Sequence, residues 1–276
     1  MRIRIDLAYD GTEFSGWAKQ PGQRTVQGDL EDSLATVLRL PSVQVTCAGR
    51  TDTGVHARAQ VVHLDVEGDV LTESAGRIRH RPVDALKRRL NGILRPDVRV
   101  RRVSEAPEGF DARFSALWRR YAYRIDDTGL LDPLTRNHVL PWPQPLDLDR
   151  MNEASAALLG EQDFAAFCKR REGATTVRAL LDLHWERVEG LAVARVRADA
   201  FCHNMVRSLV GCLVAVGEGR REPSWASDVL RARVRDGSVK VAGARGLTLE
   251  EVAYPADDEL AARARETRTV RTTEDG

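Results

Sequence analysis

Apolar and polar residues alternate over residues 2–9, and this period of two predicts a half-buried strand. Between 26 and 39 the apolar residues recur every three or four positions, which predicts an amphipathic helix with Thr25 as its N-cap. Similar patterns predict four more elements in this half of the chain: strands at 43–47, 58–66 and 98–103, and a helix at about 82–94.

The second half of the chain repeats this order of elements, although the two halves share no visible sequence identity. Its predicted elements are strands at 119–126, 178–188, 191–201 and 247–254, and helices at about 148–159, 203–217 and 225–235. The order strand–helix–strand–strand–helix–strand is that of ferredoxin-like, or RRM-like, units. The sequence therefore predicts an α+β protein in which two such units, with antiparallel sheets, are joined around a central cleft.

The two predicted units and the segment after them divide the chain into three parts. We expect an amino-terminal domain over 1–110, a carboxy-terminal domain over 111–258 and a tail over 259–276. The tail is charged and lacks aromatic residues, so we expect it to be disordered.

The loop between the strands at 43–47 and 58–66 has the sequence AGRTDTGVHA. It places the carboxylate of Asp52 two residues from the guanidinium of Arg50, and its glycines permit backbone angles that other residues avoid. Loops on rigid scaffolds are common sites of chemistry, although a surface turn with a self-bonded Asp is the simpler interpretation of these residues alone.

The whole loop resembles the catalytic loop of the tRNA pseudouridine synthases of the TruA type. Three other segments resemble motifs of the same family, in the same order along the chain. They are YDGTEFSGWAKQ at 9–20, FDARFSALWRRYAYRI at 110–125 and FCHNMVRSLVGCLVAVG at 201–217. A further segment, GLTLEEVAYP at 246–255, is similar to the closing strand of the family.

This resemblance implies a reaction and a set of residues. It implies an isomerase that converts uridine to pseudouridine at positions 38, 39 and 40 of the anticodon arm of tRNA. Asp52 corresponds to the catalytic residue and nucleophile, although attack on the sugar, attack on the base and removal of a sugar proton all remain open. By the same resemblance Arg50 helps to expel the base, Tyr121 stacks on it, Arg207 pairs with Asp52, and Leu247 forms an apolar wall.

Charge is unevenly distributed along the chain. Residues 77–102 contain ten Lys and Arg against two Asp, a local net charge of +8 in a chain whose total is +1. Such asymmetry is typical of a nucleic-acid surface, although a charge run is more often solvated surface. We predict that this basic run contacts tRNA phosphates, with Arg88 and Arg89 among the contacts.

Other sequence features exclude several classes of site. The four cysteines lack CxxC spacing and the histidines form no HxxH pattern, so we expect no metal and no cofactor. We interpret the cysteines as small buried residues in a reducing cytoplasm. There is no signal peptide and no apolar run of about 18 residues, so we expect no membrane association. The resemblance implies a homodimer.

Three alternatives remain. A purely RNA-binding pair of ferredoxin-like units would display aromatic residues on the sheet surface. A retaining glycoside hydrolase would need two carboxylates about 5–5.5 Å apart, whereas the loop offers one. A purely structural, oligomer-forming protein is the third alternative, and this role would not explain the loop that contains Asp52.

Overall fold

The structure is a computed structural model, and it describes residues 1–75, 81–169, 175–235 and 237–268. The chain folds into two units. Of the described residues, unit 1 comprises those in 1–117 and 249–268, and unit 2 comprises those in 118–248. Within the described residues, no helix combines the length and the apolar character needed to cross a bilayer.

Unit 1 is an antiparallel sheet covered by helices. In chain order its elements are β1 (Arg2–Tyr9), α1 (Val26–Leu38), β2 (Thr46–Cys47), β3 (His56–Asp65), α2 (Gly68–Ala75), α3 (Pro82–Ile93) and β4 (Val98–Glu105). β1 lies between β3 and β4, and β2 pairs with β3. This strand order is the one the ferredoxin-like pattern predicts. The buried face of β1 consists of Ile3, Ile5, Leu7 and Tyr9, so its period of two is confirmed.

Unit 2 is built in the same way. Its elements are β5 (Trp118–Asp126), β6 (Leu140–Pro141), α4 (Leu148–Ala156), β7 (Gly160–Asp163), β8 (Val177–Val188), β9 (Leu191–Ala198), α5 (Met205–Gly217) and α6 (Ser224–Ala232), followed by β10 (Leu247–Ala253). The strands run in the order β5-β9-β8-β7, with antiparallel pairing, and β6 pairs in parallel with β5. Nearly every residue of α5 is buried, which explains its almost uniformly apolar sequence.

The end of the chain differs from the expectation of a disordered tail over 259–276. Residues Leu260–Arg268 form α7, preceded by a short 3-10 helix at Asp257–Glu259, and 269–276 lie outside the described residues. Leu260 and Ala264, one helical turn apart, are buried. The carbonyl of Leu260 also accepts a hydrogen bond from Ser115 Oγ at 3.1 Å. Two buried apolar side chains and this hydrogen bond thus anchor a segment whose composition is typical of disorder.

The expected domain boundary between 110 and 111 stays a prediction, and the units are described by their own residues. The chain leaves unit 1 only after Leu117, and residues from Leu249 onward return to it. Leu247 and Thr248 of β10 are thus assigned to unit 2, and the remaining residues of this strand to unit 1.

The expectation that all cysteines are reduced also has to be corrected. Cys168 and Cys202 form a disulfide, with Cα atoms 5.7 Å apart and a sequence separation of 34. The Lys169 amide donates to the carbonyl of His203 at 2.9 Å, so the backbones beside both cysteines are hydrogen-bonded. The spacing gives no signal of this pair because the tertiary structure alone brings the two segments together.

Candidate active site

A buried polar network supports the loop that contains Asp52. The Tyr9 hydroxyl lies 2.8 Å from Thr51 Oγ1, and Gln60 Nε2 donates to the carbonyl of Gly49 at 2.7 Å and to Tyr9 at 3.3 Å. Gln60 is fully buried, and Tyr9 and Thr51 are nearly so. Buried polar groups with satisfied hydrogen bonds hold their partners in a unique arrangement. The network thereby fixes the loop on both sides of Arg50 to β1 and β3.

The amino-terminal motif packs directly against this loop. A Cβ on Gly11 would lie 2.1 Å from the carbonyl oxygen of Val55, so only glycine fits there. Gly16 has a φ of +88°, and a Cβ on it would lie 3.0 Å from the carbonyl oxygen of Thr51. The amide of Trp17 donates to that same carbonyl at 3.0 Å. The glycines of this motif therefore permit a close backbone approach that positions the loop.

His56 is a second support that the sequence analysis did not single out. It is buried, and its Nδ1 accepts a hydrogen bond from the amide of Gly11 at 3.0 Å. The histidine therefore joins the start of β3 to the amino-terminal motif. In the sequence, its position near the end of the loop motif was the feature that could have indicated this supporting role.

The two charged residues of the loop are accessible. Asp52 is half-buried and Arg50 is exposed, and Gly54 turns the chain with a φ of +76°. The Asp52 carbonyl accepts a hydrogen bond from the Val55 amide at 3.1 Å. Burial raises the pKa of the nearby Cys47 thiol to about 11, so a thiolate is disfavoured beside the loop at neutral pH. Asp52 is thus the acidic side chain that the loop presents.

In unit 2, Arg207 joins α5 to the segment at 240–247. Its Nε donates to the carbonyl of Ala242 at 2.7 Å, and its own carbonyl accepts from the Ala242 amide at 3.0 Å. Nη1 reaches Asn204 Oδ1 at 3.5 Å. These hydrogen bonds account for a half-buried guanidinium on an otherwise apolar helix. The pairing of Arg207 with Asp52 stays a prediction.

Tyr123 is part of the same cluster and was missed by the sequence analysis as a site residue. Its hydroxyl donates to the carbonyl of Gly243 at 2.7 Å, and its ring is fully buried. Burial raises the pKa of Tyr123 well above its usual range, although the Arg207 guanidinium acts in the opposite direction. Its phenol is therefore neutral and fixes the 240–247 segment.

Tyr121 lies two residues before Tyr123 on β5 and so on the same face of the sheet. Its ring meets that of Phe201 edge to face, with centroids 5.1 Å apart and an interplanar angle of 87°. Such pairs contribute about 0.5–1.5 kcal/mol beyond the burial of area. The contact with Phe201 therefore favours this orientation of the Tyr121 ring.

Leu247 lies at the end of the 240–247 segment. It is buried, and its amide donates to the carbonyl of Ala244 at 2.9 Å. A Cβ on the preceding Gly246 would lie 2.7 Å from the ring of Tyr123, so this glycine permits the close passage of the segment. Leu247, Arg207 and Tyr123 are thus linked through one segment of unit 2.

The predicted phosphate-binding residues lie on unit 1. Arg88 is exposed and Arg89 half-buried on α3, whereas Arg77 and Arg79 lie outside the described residues. Arg50 and Asp52 also belong to unit 1, while Tyr121, Arg207 and Leu247 belong to unit 2.

Comparison with known proteins identifies the family. A family model described as tRNA pseudouridine synthase matches residues 7–115 and 154–255. A protein of Frankia casuarinae named tRNA pseudouridine synthase A is 59% identical over 273 residues, covering 98% of this chain and 96% of that protein. Proteins of the same name from Streptomyces griseus and Mycobacterium leprae are 58% and 50% identical, covering 99% and 98% of this chain and 94% and 96% of their own lengths. By this match over most of its length, the chain belongs to the tRNA pseudouridine synthase family.

Proposed function

We propose that the protein isomerises uridine to pseudouridine at positions 38, 39 and 40 in the anticodon stem-loop of tRNAs. In this reaction the N1–C1′ bond of a uridine breaks, the uracil turns, and C5 joins C1′. The hydrogen of C5 leaves as a proton and N1 gains one, so no oxidant or reductant is needed. A target base in a stem must first leave its stack, which costs a few kcal/mol.

The observation that supports this proposal is the loop at 48–55. It presents one accessible carboxylate, Asp52, on a backbone held by the buried network of Tyr9, Thr51 and Gln60. A fixed backbone lowers the entropy lost when the carboxylate meets its target atom. We assign to Asp52 the step that starts cleavage of the glycosidic bond, and to Arg50 the expulsion of the base from the stem.

The residues of unit 2 have complementary roles in the proposal. Tyr121 stacks on the extruded uracil, because its ring already packs against Phe201. Its hydroxyl can relay the C5 proton, giving up its own proton to solvent as it accepts that one. Leu247 forms an apolar wall for the base. Arg207 holds the 240–247 segment that ends in Leu247.

Recognition of three neighbouring uridines requires contacts that do not depend on base sequence. Phosphate contacts meet this requirement, since they position a nucleic acid without reading it. We assign Arg88 and Arg89 to this role. We also propose that the enzyme acts in the cytoplasm as a homodimer, and sedimentation equilibrium of the purified protein tests the dimer directly.

The test of the reaction uses unmodified tRNA tritiated at C5 of uridine, because that hydrogen leaves only when C5 becomes the glycosidic carbon. The wild type should release label to water. Asp52→Asn should bind the same tRNA with similar affinity and release no label above background, because phosphate contacts dominate affinity. Asp32→Asn, at an exposed ion pair with Lys19, is the matched control and should react like the wild type. Sustained release from Asp52→Asn, even at a few per cent of the wild-type rate, would remove Asp52 from the initiating step.

A further inference from the structure

A cavity of about 390 Å³ opens between the start of α3 and the second half of β4, within unit 1. Basic and acidic side chains line it together. The basic ones are Arg81, Lys87, Arg101 and Arg102, and the acidic ones are Asp84 and Glu105. Four cations against two carboxylates give the lining a net charge of +2, so the cavity favours an anion.

A β-bulge places two consecutive arginines at this cavity. In the pairing of β1 with β4, Asp6 lies opposite Arg102, but the next residue, Leu7, lies opposite Val100. Arg101 is thus the extra residue of β4. Val100 and Val103 are both buried, while Arg101 and Arg102 between them are both exposed. In a regular strand two neighbours would point to opposite faces of the sheet, so the bulge is what allows both guanidinium groups to line one cavity.

The charges at the cavity are not equally available. Arg81 Nε donates to Asp84 Oδ2 at 2.8 Å, so one cation and one carboxylate of the lining largely neutralise each other. Lys87, Arg101 and Arg102 then face a single further carboxylate, that of Glu105. Guanidinium groups are more weakly hydrated than ammonium groups, so their desolvation on binding costs less, and their planar donors match the oxygens of a phosphate.

We propose that this cavity binds a phosphodiester of the tRNA backbone, as a site additional to the basic surface of Arg88 and Arg89. The ligand follows from the proposed function, since the tRNA substrate supplies the phosphate. Among the described residues that line the cavity none is aromatic, so the lining offers no platform for stacked bases. The site therefore holds the RNA by its backbone, which suits an enzyme with several neighbouring target uridines.

The test compares two variants that remove the same charge. Arg101→Gln/Arg102→Gln changes the cavity, and Arg231→Gln/Arg265→Gln changes two exposed helical arginines that do not line it. The affinity for full-length unmodified tRNA is measured by fluorescence anisotropy from 50 to 300 mM KCl. The test quantity is the slope of the logarithm of the association constant against the logarithm of the KCl concentration. Removal of each ion pair with a phosphate should reduce the magnitude of this slope by about 0.9 and weaken binding roughly tenfold near 0.1 M salt. The control should keep the wild-type slope.

Turnover separates binding from chemistry. The cavity variant should raise KM by about tenfold for each ion pair with a phosphate that it removes, with kcat at saturating tRNA unchanged, because the site does not contact the reacting base. Thermal unfolding shows whether the variant is folded. If it is not, Lys87→Gln replaces it, since Lys87 lies on α3 outside the bulge, and it should also lower the slope.

Three outcomes decide the proposal. A salt slope equal to that of the control overturns it. The proposal also fails if inorganic phosphate, at matched ionic strength, stabilises the wild type but not the cavity variant while the tRNA salt slope is the same in both. In that case the ligand of the cavity is the free anion. If the slope falls but the wild-type enzyme releases no tritium, the phosphate site stands and the proposed reaction fails.

Discussion

Gly211 is the point of α5 where a single methyl group should disturb the candidate site. A Cβ on Gly211 would lie only 1.7 Å from the carbonyl oxygen of Lys240 and 3.4 Å from the amide nitrogen of Ala242. The obstacle is backbone, so no side-chain rotation relieves it. Arg207 lies one helical turn earlier on the same face of α5 and holds Ala242 by the hydrogen bonds described above.

The expected cost follows from these distances. An ordinary separation between Cβ and a carbonyl oxygen is more than 3.0 Å, so the 240–247 segment has to move by roughly 1.5 Å. Overpacking of this kind costs about 1–3 kcal/mol, and each disrupted hydrogen bond to Ala242 about 0.5–1.5 kcal/mol. Alanine recovers about 1 kcal/mol through its helix propensity. With both hydrogen bonds to Ala242 disrupted, the net effect is a loss of about 1–5 kcal/mol in the free energy of unfolding.

The assay compares Gly211→Ala with Gly92→Ala. Gly92 lies in the last turn of α3, and a Cβ on it would meet no atom within 4 Å. Gly92→Ala should therefore stabilise the protein by up to about 1 kcal/mol. Gly211→Ala should lower Tm by roughly 2–4 °C for each kcal/mol of destabilisation, and should also slow tritium release, because the displaced segment contains Leu247.

Two results would refute this reasoning. If Gly211→Ala unfolds at or above the wild-type temperature, the 240–247 segment yields without cost and the steric argument is wrong. If it is destabilised yet keeps the wild-type rate of tritium release, the segment does not position catalytic groups.

Three further predictions concern separate parts of the molecule. Tyr121→Phe should keep tRNA affinity and lose most of its turnover in the tritium assay, because the ring remains and the hydroxyl is gone; near-normal turnover would limit Tyr121 to stacking. Burial holds the pKa of His63 below its usual value, and its Nδ1 accepts from the Ala112 amide at 3.0 Å, so protonation opposes folding. The unfolded chain then binds more protons than the folded chain, so the free energy of unfolding should fall as pH drops below about 6.5. Urea unfolding at pH 7.5 and 5.5 should show this loss, and the loss should be smaller in His63→Gln. Equal losses in the wild type and the variant would exclude His63 as the cause. Reduction of the Cys168–Cys202 disulfide should lower the free energy of unfolding by up to about 4 kcal/mol, given the 34-residue separation of the two cysteines. Dithiothreitol should have no such effect on Cys202→Ser. An equal loss of stability in the wild type and in Cys202→Ser would show that the disulfide is not its cause.

Local sequence patterns determined most of the elements. The predicted helix at 26–39 is α1 at Val26–Leu38, with Thr25 as its N-cap, and the predicted strand at 119–126 is β5 at Trp118–Asp126. These predictions succeeded because periodicity and capping involve neighbours in the chain. The same local signal failed at 43–47, where only Thr46–Cys47 pair as strand, because pairing depends on the partner strand as well.

Motif resemblance identified the family and the residues of interest, but only the tertiary structure placed their supports. Gln60 and His56 hold the Asp52 loop through hydrogen bonds with Tyr9 and Gly11, about fifty positions earlier in the sequence, and Tyr123 joins Arg207 through the carbonyl groups of the 240–247 segment. Such interactions follow from how strands and helices pack, which residue spacing does not encode.

Tertiary structure also decided which charged residues share a surface. The alternation of β4 by itself would separate Arg101 from Arg102, and the bulge opposite Asp6 brings them together. The charged segment after 259 was expected to be disordered, yet Leu260 and Ala264 give it enough buried surface to form a helix. In each case the deciding free energy comes from partners distant in the sequence, so composition and periodicity could not predict the result.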